Sequence, residues 1–230
     1  MKTTDSTEQT IEPRQALAES LAEAVAAALR EDLEHQSRAT LIVSGGSTPV
    51  PFFKALSQKR LEWSRVDVTL ADERWVDEAH DDSNTRLVRT HLIANEAATA
   101  LFHPLVNDAD TPEAGVDALE QQVGELHWPA SVVILGMGGD GHTASLFPDS
   151  PELEHGLTTT RRLLAAHAPS VTQARMSFSR QALLDSRRRY VHVTGMDKRR
   201  VFSTAFSSDD ARELPIRAFM TEPLSLYWAP

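Results

Sequence analysis

Residues 132–148 read VVILGMGGDGHTASLFP. Val132 to Leu135 is a short apolar run of the kind that forms a buried strand of a parallel sheet. It leads straight into four glycines within six positions, then Asp140, Gly141 and His142, and stops at Pro148. Glycines packed this tightly let a backbone approach a ligand closely or turn through φ > 0. An acid and a histidine ride on the same turn, and histidine is the side chain whose unperturbed pKa, about 6.5, suits proton exchange at neutral pH. Gly136, Gly138 and Gly141 also satisfy G-x-G-x-x-G literally, but the context excludes a dinucleotide fingerprint. Pro148 leaves room for little more than one helical turn, too short to aim a helix at a pyrophosphate. The ribose-binding acid expected about 20 residues on is missing, because the next strand-like run, Arg161 to Ala166, opens with two arginines and carries no acid.

Outward from this strand the chain alternates helices and strands. Leu17, Leu21, Val25, Ala28 and Leu29 share one helical face and predict a long opening helix ending near His35. Strands are expected at Ala39 to Val43, Val66 to Ala71, Leu163 to His167, Arg175 to Phe178, Tyr190 to Thr194 and Leu224 to Trp228. Helices are expected from Pro49 to Leu56, from a Ser83 cap to about Ile93, from a Thr111 cap over Pro112 to Leu126, and over Asp197 to Phe206. The expectation is an α/β fold with a largely parallel sheet flanked by helices. With no repeat or low-complexity linker, residues 12–230 read as a single domain behind a frayed, flexible leader at residues 1–11.

Composition narrows the function classes. The 230 residues are 41% hydrophobic, hold no cysteine, and carry a net charge of −10. That charge argues against nucleic acid or an anionic membrane as partner, although local cations and backbone amides suffice for one phosphate. The absence of cysteine fits a cytoplasmic setting; no apolar run approaches the roughly 20 residues of a membrane span, and no signal-peptide pattern appears. No H-E-x-x-H or similar histidine spacing is present, so no catalytic zinc is expected. No G-x-S-x-G elbow is present either. The acidic run Asp77 to Asp82 reads as a solvated loop, and Arg187 to Arg189 as a solvated turn.

Three more loops carry chemistry. Ser44-Gly45-Gly46-Ser47-Thr48-Pro49 is a strand end, a glycine turn and a helix start, where backbone N–H groups favour an anion. Asp72-Glu73-Arg74 follows another strand, and ligands of open α/β sheets sit beyond such carboxyl ends. Lys198 falls in the first turn of a helix after Gly195, where a cation is disfavoured unless an anion lies nearby.

At these loops the chain resembles the 6-phosphogluconolactonases, whose superfamily also holds the glucosamine-6-phosphate deaminases. The resemblance rests on SGGSTP at 44–49, ADERWV at 71–76, SNTRLVR at 83–89 and GMGGDGHTASLFP at 136–148, supported by the Gly195–Lys198 segment and the closing LSLYWA. It covers nearly the whole chain from about residue 12. It implies a Rossmann-like fold of the ribose-5-phosphate isomerase and CoA transferase kind. It also implies hydrolysis of 6-phospho-D-glucono-1,5-lactone in the pentose phosphate pathway, with no metal and no cofactor. By the resemblance His142 is the general base, Asp72, Glu73 and Arg74 form the acid–acid–arginine motif, Gly45, Gly46, Ser47 and Thr48 cradle the phosphate with Lys198, and Asn84 lines the cleft. Arg74 suits an oxyanion, and either Asp140 or Asp72 would orient the imidazole. Whether Arg161 or Arg175 reaches the phosphate stays open. The partner implied is a small sugar-phosphate lactone, and the chain is expected to be a monomer or weak homodimer.

The rival readings are a deaminase or isomerase on the same fold and a non-catalytic sugar-phosphate-binding domain. The deaminases carry Asp-Glu-Tyr where this chain has Asp72-Glu73-Arg74, and Asn-Glu-Pro where it has Leu146-Phe147-Pro148. A deaminase would need a second proton-transfer carboxylate, for which Glu73 is the only nearby candidate. A binding domain would have little reason to keep both Arg74 and His142.

Overall fold

The structure, a computed structural model, describes residues 13–230. The leader expected at residues 1–11 lies outside the described residues. The strands are Ala39–Val43 (β1), Val66–Leu70 (β2), Asp72–Arg74 (β3), Leu101–His103 (β4), Val132–Leu135 (β5), Leu163–Ala166 (β6), Arg175–Phe178 (β7), Arg189–Thr194 (β8) and Leu224–Ala229 (β9). The α-helices are Pro13–His35 (α1), Val50–Ser57 (α2), Asn84–His91 (α3), Pro112–Gly124 (α4), Leu153–Thr158 (α5), Arg180–Leu184 (α6) and Met196–Ser207 (α7).

Six strands form one parallel sheet in the order β4-β2-β1-β5-β8-β9. β1, β2 and β5 are buried at every position, which explains the near-continuous apolar runs of β1 and β5, while β2 buries Asp67 and Thr69, both bonded to His103. Helix α1 closes the core with Leu21, Val25 and Leu29, none of them exposed, and packs on α2, β1, β5 and β9. The expected caps are in place. Ser83 Oγ accepts from the Arg86 amide at 3.1 Å, and Thr111 Oγ1 accepts from the Ala114 amide at 3.3 Å. The strand order reverses between β1 and β5. A ligand of such a sheet binds in the crevice at that switch point, and the loops after β1 and β5 are the two glycine-rich loops of the sequence.

Several elements differ from expectation. The segments at 163–166 and 175–178 are strands, but they do not join the parallel sheet. They form a separate antiparallel sheet, β3-β7-β6, with the Asp72–Arg74 segment as its third strand. β3 leaves β2 after one residue, so the sequence reads as one strand end where the fold has two strands. Register pairs Arg74 with Arg175. The short elements β4, α5 and α6 were not expected, because three to six residues carry too little periodicity to register. No helix forms between Gly141 and Pro148; the chain turns there, with a bridge between Thr143 and Leu146. Arg187 to Arg189 is not simply a solvated turn. Arg188 bridges Glu31 and Asp32 at 2.7 and 3.1 Å, and Arg189 is buried in β8 with its guanidinium on the Thr221 carbonyl. Among the described residues, no helix is long and apolar enough to cross a membrane.

Candidate active site

At the switch point, the loops after β1 and β5, strand β3 and the start of α7 meet around a cleft of ≈ 280 Å³. The loop after β5 brings an acid and a histidine together. His142 Nδ1 lies 2.6 Å from Asp140 Oδ1, and the same oxygen accepts from the His142 amide at 3.1 Å. Burial opposes the charge on Asp140, but the hydrogen bond and charge of His142 outweigh it and hold the carboxyl below its ordinary range. An ionised carboxylate only accepts, so the proton of this short contact sits on Nδ1, and in the neutral tautomer it selects the lone pair is on Nε2. The turn makes this geometry possible. A Cβ at Gly138 would overlap the His142 ring and the Asp140 carboxylate, so only glycine admits the imidazole there. Phe147 backs the ring at 4.2 Å between centroids.

Strand β3 presents its three polar residues to different surroundings. Asp72 is 6% exposed and lines the cleft. Its Oδ2 accepts from Ser145 Oγ at 2.6 Å and lies 3.6 Å from Arg175 Nη1. It makes no hydrogen bond or ion pair with His142, so of the two candidate acids only Asp140 lies within hydrogen-bond reach of the imidazole. Glu73 is wholly buried and does not line the cleft. Its carboxylate accepts from the amides of Arg74, Asn84 and Thr85 at 2.8, 2.9 and 2.6 Å. It therefore anchors β3 to the first turn of α3, where a carboxylate complements the helix dipole. Burial pushes its pKa up against those hydrogen bonds. Arg74 lines the cleft and donates from Nη1 to the Asp82 carbonyl. It forms no ion pair with Asp72 or Glu73, and its buried Nε has no partner. Asn84 lines the same cleft and donates from Nδ2 to the Asp72 carbonyl at 3.1 Å.

The other end of the cleft is bordered by Gly45, Gly46, Ser47, Thr48 and Lys198, segments about 150 residues apart in sequence that the fold brings together. No side chain caps the start of α2 or of α7, which leaves amide donors for an anion. Burial lowers the pKa of the half-buried Lys198, and the charge of Asp140 works the other way.

Of the two arginines left open, Arg175 lines the cleft and Arg161 does not. Arg161 sits outside, 2.6 Å from Asp117. Sequence reasoning missed His192 of β8, which is 5% exposed and also lines the cleft. It missed Ser145 as well. His192 sits in an ordinary strand alternation, and Ser145 lies inside the 136–148 motif but nothing in its residue type singles it out before packing. Among the described residues, no group of three or more His, Asp or Glu side chains is placed to hold a metal ion.

Comparison with known proteins agrees with this geometry. A family profile described as glucosamine-6-phosphate isomerases/6-phosphogluconolactonase matches residues 12–228. The chain is 44% identical over 215 residues to the 6-phosphogluconolactonase of Pseudomonas aeruginosa, covering 93% of this chain and 90% of that one. It is 43% identical to that of Rhizobium meliloti, covering 94% and 95%. The crystal structure of a 6-phosphogluconolactonase from Shewanella baltica superposes with a TM-score of 0.94 at 42% identity, covering 96% of each chain. A monomeric glucosamine-6-phosphate deaminase shares the fold, with a TM-score of 0.79 at 17% identity over 95% of each chain. The switch-point cleft, the two glycine loops and these matches agree, and the chain belongs to the glucosamine-6-phosphate isomerase/6-phosphogluconolactonase family.

Proposed function

We propose that this protein hydrolyses 6-phospho-D-glucono-1,5-lactone to 6-phospho-D-gluconate in the oxidative pentose phosphate pathway, without a metal ion. The observation that carries the reading is His142, held by Asp140 at 2.6 Å and lining one cleft with Arg74. His142 Nε2 takes a proton from water as the oxygen attacks C1 of the lactone. The carbonyl oxygen becomes an oxyanion, and the Arg74 guanidinium, whose charge cannot be lost, stabilises it. The tetrahedral intermediate then collapses. The C1–ring oxygen bond breaks, and the proton on His142 passes to the departing C5 hydroxyl. Asp140 holds the imidazole and balances its charge through the cycle. The Gly45–Thr48 loop and Lys198 would take the phosphate, so that a non-reacting end of the substrate positions the lactone.

The deaminase reading lacks its second carboxylate, because Glu73 is committed to three amides away from the cleft. The test is hydrolysis of fresh 6-phosphogluconolactone above its spontaneous rate, coupled to 6-phosphogluconate dehydrogenase, with and without EDTA. Ammonia release from glucosamine 6-phosphate is followed in parallel. Catalysis of the first reaction, insensitive to EDTA, supports the proposal. Ammonia release without lactone hydrolysis would overturn it. Activity lost to EDTA and restored by a divalent cation would overturn the metal-free mechanism.

A further inference from the structure

His192 is a buried polar side chain that the mechanism above leaves without work. It sits on β8, where alternation sends Val191 and Val193 to one face and His192 to the other. Its edge meets Phe52 of α2 at 6.0 Å between centroids. It is 5% exposed, and neither ring nitrogen is among the fully buried polar atoms left without a partner, so what remains open of the ring is its access to the cleft. A nearly buried polar ring that lines a cleft calls for an explanation. The same ring lines the cleft, and its neighbours there are the two segments that border the phosphate end. Phe52 belongs to the first turn of α2, just after the Gly45–Thr48 loop. Lys198 returns over the end of β8 because the chain turns at Gly195, with φ +94°. Three residues before that glycine and three after it therefore meet at one place, His192 below and Lys198 above.

We propose that His192 is a neutral third contact for the substrate phosphate, donating a ring N–H to a phosphate oxygen that Lys198 and the α2 loop also hold. This rests on the reading of the cleft as a sugar-phosphate site. A neutral donor suits the position, because a second full cation against Lys198 would be repelled whenever the cleft is empty. Burial and the Lys198 charge keep the ring unprotonated, with a pKa lowered to about 4. The contact improves ground-state binding and transition-state binding alike, so it acts on KM rather than kcat.

The experiment uses sulfate, an oxyanion whose charge does not titrate near neutral pH, alongside the lactone. His192→Phe removes both nitrogens, while His192→Gln and His192→Asn each place an amide N–H at one of the two ring-nitrogen reaches. The expected result for His192→Phe is sulfate binding weakened about tenfold by calorimetry, the scale of one lost hydrogen bond to a charged group. KM should rise in parallel, with kcat within about twofold. One amide variant should recover most of the sulfate affinity and the other should not. Wild-type sulfate affinity in a folded His192→Phe protein overturns the proposal. If that variant does not fold, wild-type affinity in both amide variants overturns it equally. Sulfate binding that depends on His192 in a protein that does not turn over the lactone would refute the lactonase reading and leave this one standing.

Discussion

Replacing Asp140 by asparagine keeps the shape of the catalytic turn and removes one charge. The asparagine carbonyl can still accept the His142 Nδ1–H, so the ring should hold its tautomer. What is lost is the attraction between carboxylate and the imidazolium that forms as water is deprotonated. Two unit charges with centres about 4 Å apart attract by about 1 kcal/mol in water and about 4 kcal/mol at an effective dielectric of about 20. The side chains are 31% and 43% exposed, so solvent screening places this pair between those limits. A loss of about 2 to 2.7 kcal/mol follows, which is about 30- to 100-fold in kcat. KM should hardly change, because the charge is called on only in the transition state. The assay is the dehydrogenase-coupled rate with the spontaneous hydrolysis subtracted, at saturating lactone. A folded Asp140→Asn protein with kcat within about threefold of wild type would refute the reasoning and take Asp140 out of the mechanism.

Arg74→Lys and Arg74→Ala should both lower kcat by about 10²–10³-fold, since lysine keeps the charge but not the planar fork; equal rates for Arg74→Lys and wild type would remove the fork from the argument. Glu73→Ala should cost at least about 2 kcal/mol of stability, because it strips the acceptor from three amides. An unchanged melting temperature with lost turnover would instead make Glu73 part of the chemistry. His192, with its pKa lowered from 6.5 to about 4, makes the unfolded chain bind the extra proton first as pH falls. Stability from this group is complete above pH 6.5 and drains away toward pH 4, by at most about 3 kcal/mol. Melting curves between pH 7.5 and 4.5 should therefore be flatter for His192→Gln than for wild type, and parallel curves would count against the buried neutral ring.

How much of this could be read from the sequence follows from how local each signal is. β1, β5 and β7 were legible to the residue, because apolar runs bounded by glycine or polar loops need no partner to be recognised. The Ser83 and Thr111 caps were legible for the same reason. Pairing was not. Arg175–Phe178 reads as a strand, but its antiparallel alliance with Asp72–Arg74 depends on contacts across about 100 residues of chain. That hidden pairing is what brings Arg175 into the cleft. The site residues on glycine turns stood out by their company, whereas His192 hides in an ordinary strand alternation. Which acid meets His142 needed coordinates, since Asp72 and Asp140 both stand near the motif in the folded chain and only one lies within hydrogen-bond reach.

The register of the small sheet has one more effect. Arg74 and Arg175 face each other as direct cross-strand partners, and like charges in that relation push strands apart. Burial lowers the pKa of Arg175, while the charge of Asp72 works against it and outweighs the opposing charge of Arg74, with Glu73 and Asp82 on the side of Asp72. Each guanidinium also keeps a buried Nε–H without a partner. The surrounding carboxylates thus hold two guanidinium groups side by side in the small sheet, each with a donor to spare. An anion placed between the two guanidinium groups takes up such spare donors and makes the pair a clamp. Occupancy of the cleft should then slow amide hydrogen exchange in β3 and β7 more than in the parallel sheet behind them, so that substrate completes the rigidity of the strand that carries Asp72 and Arg74.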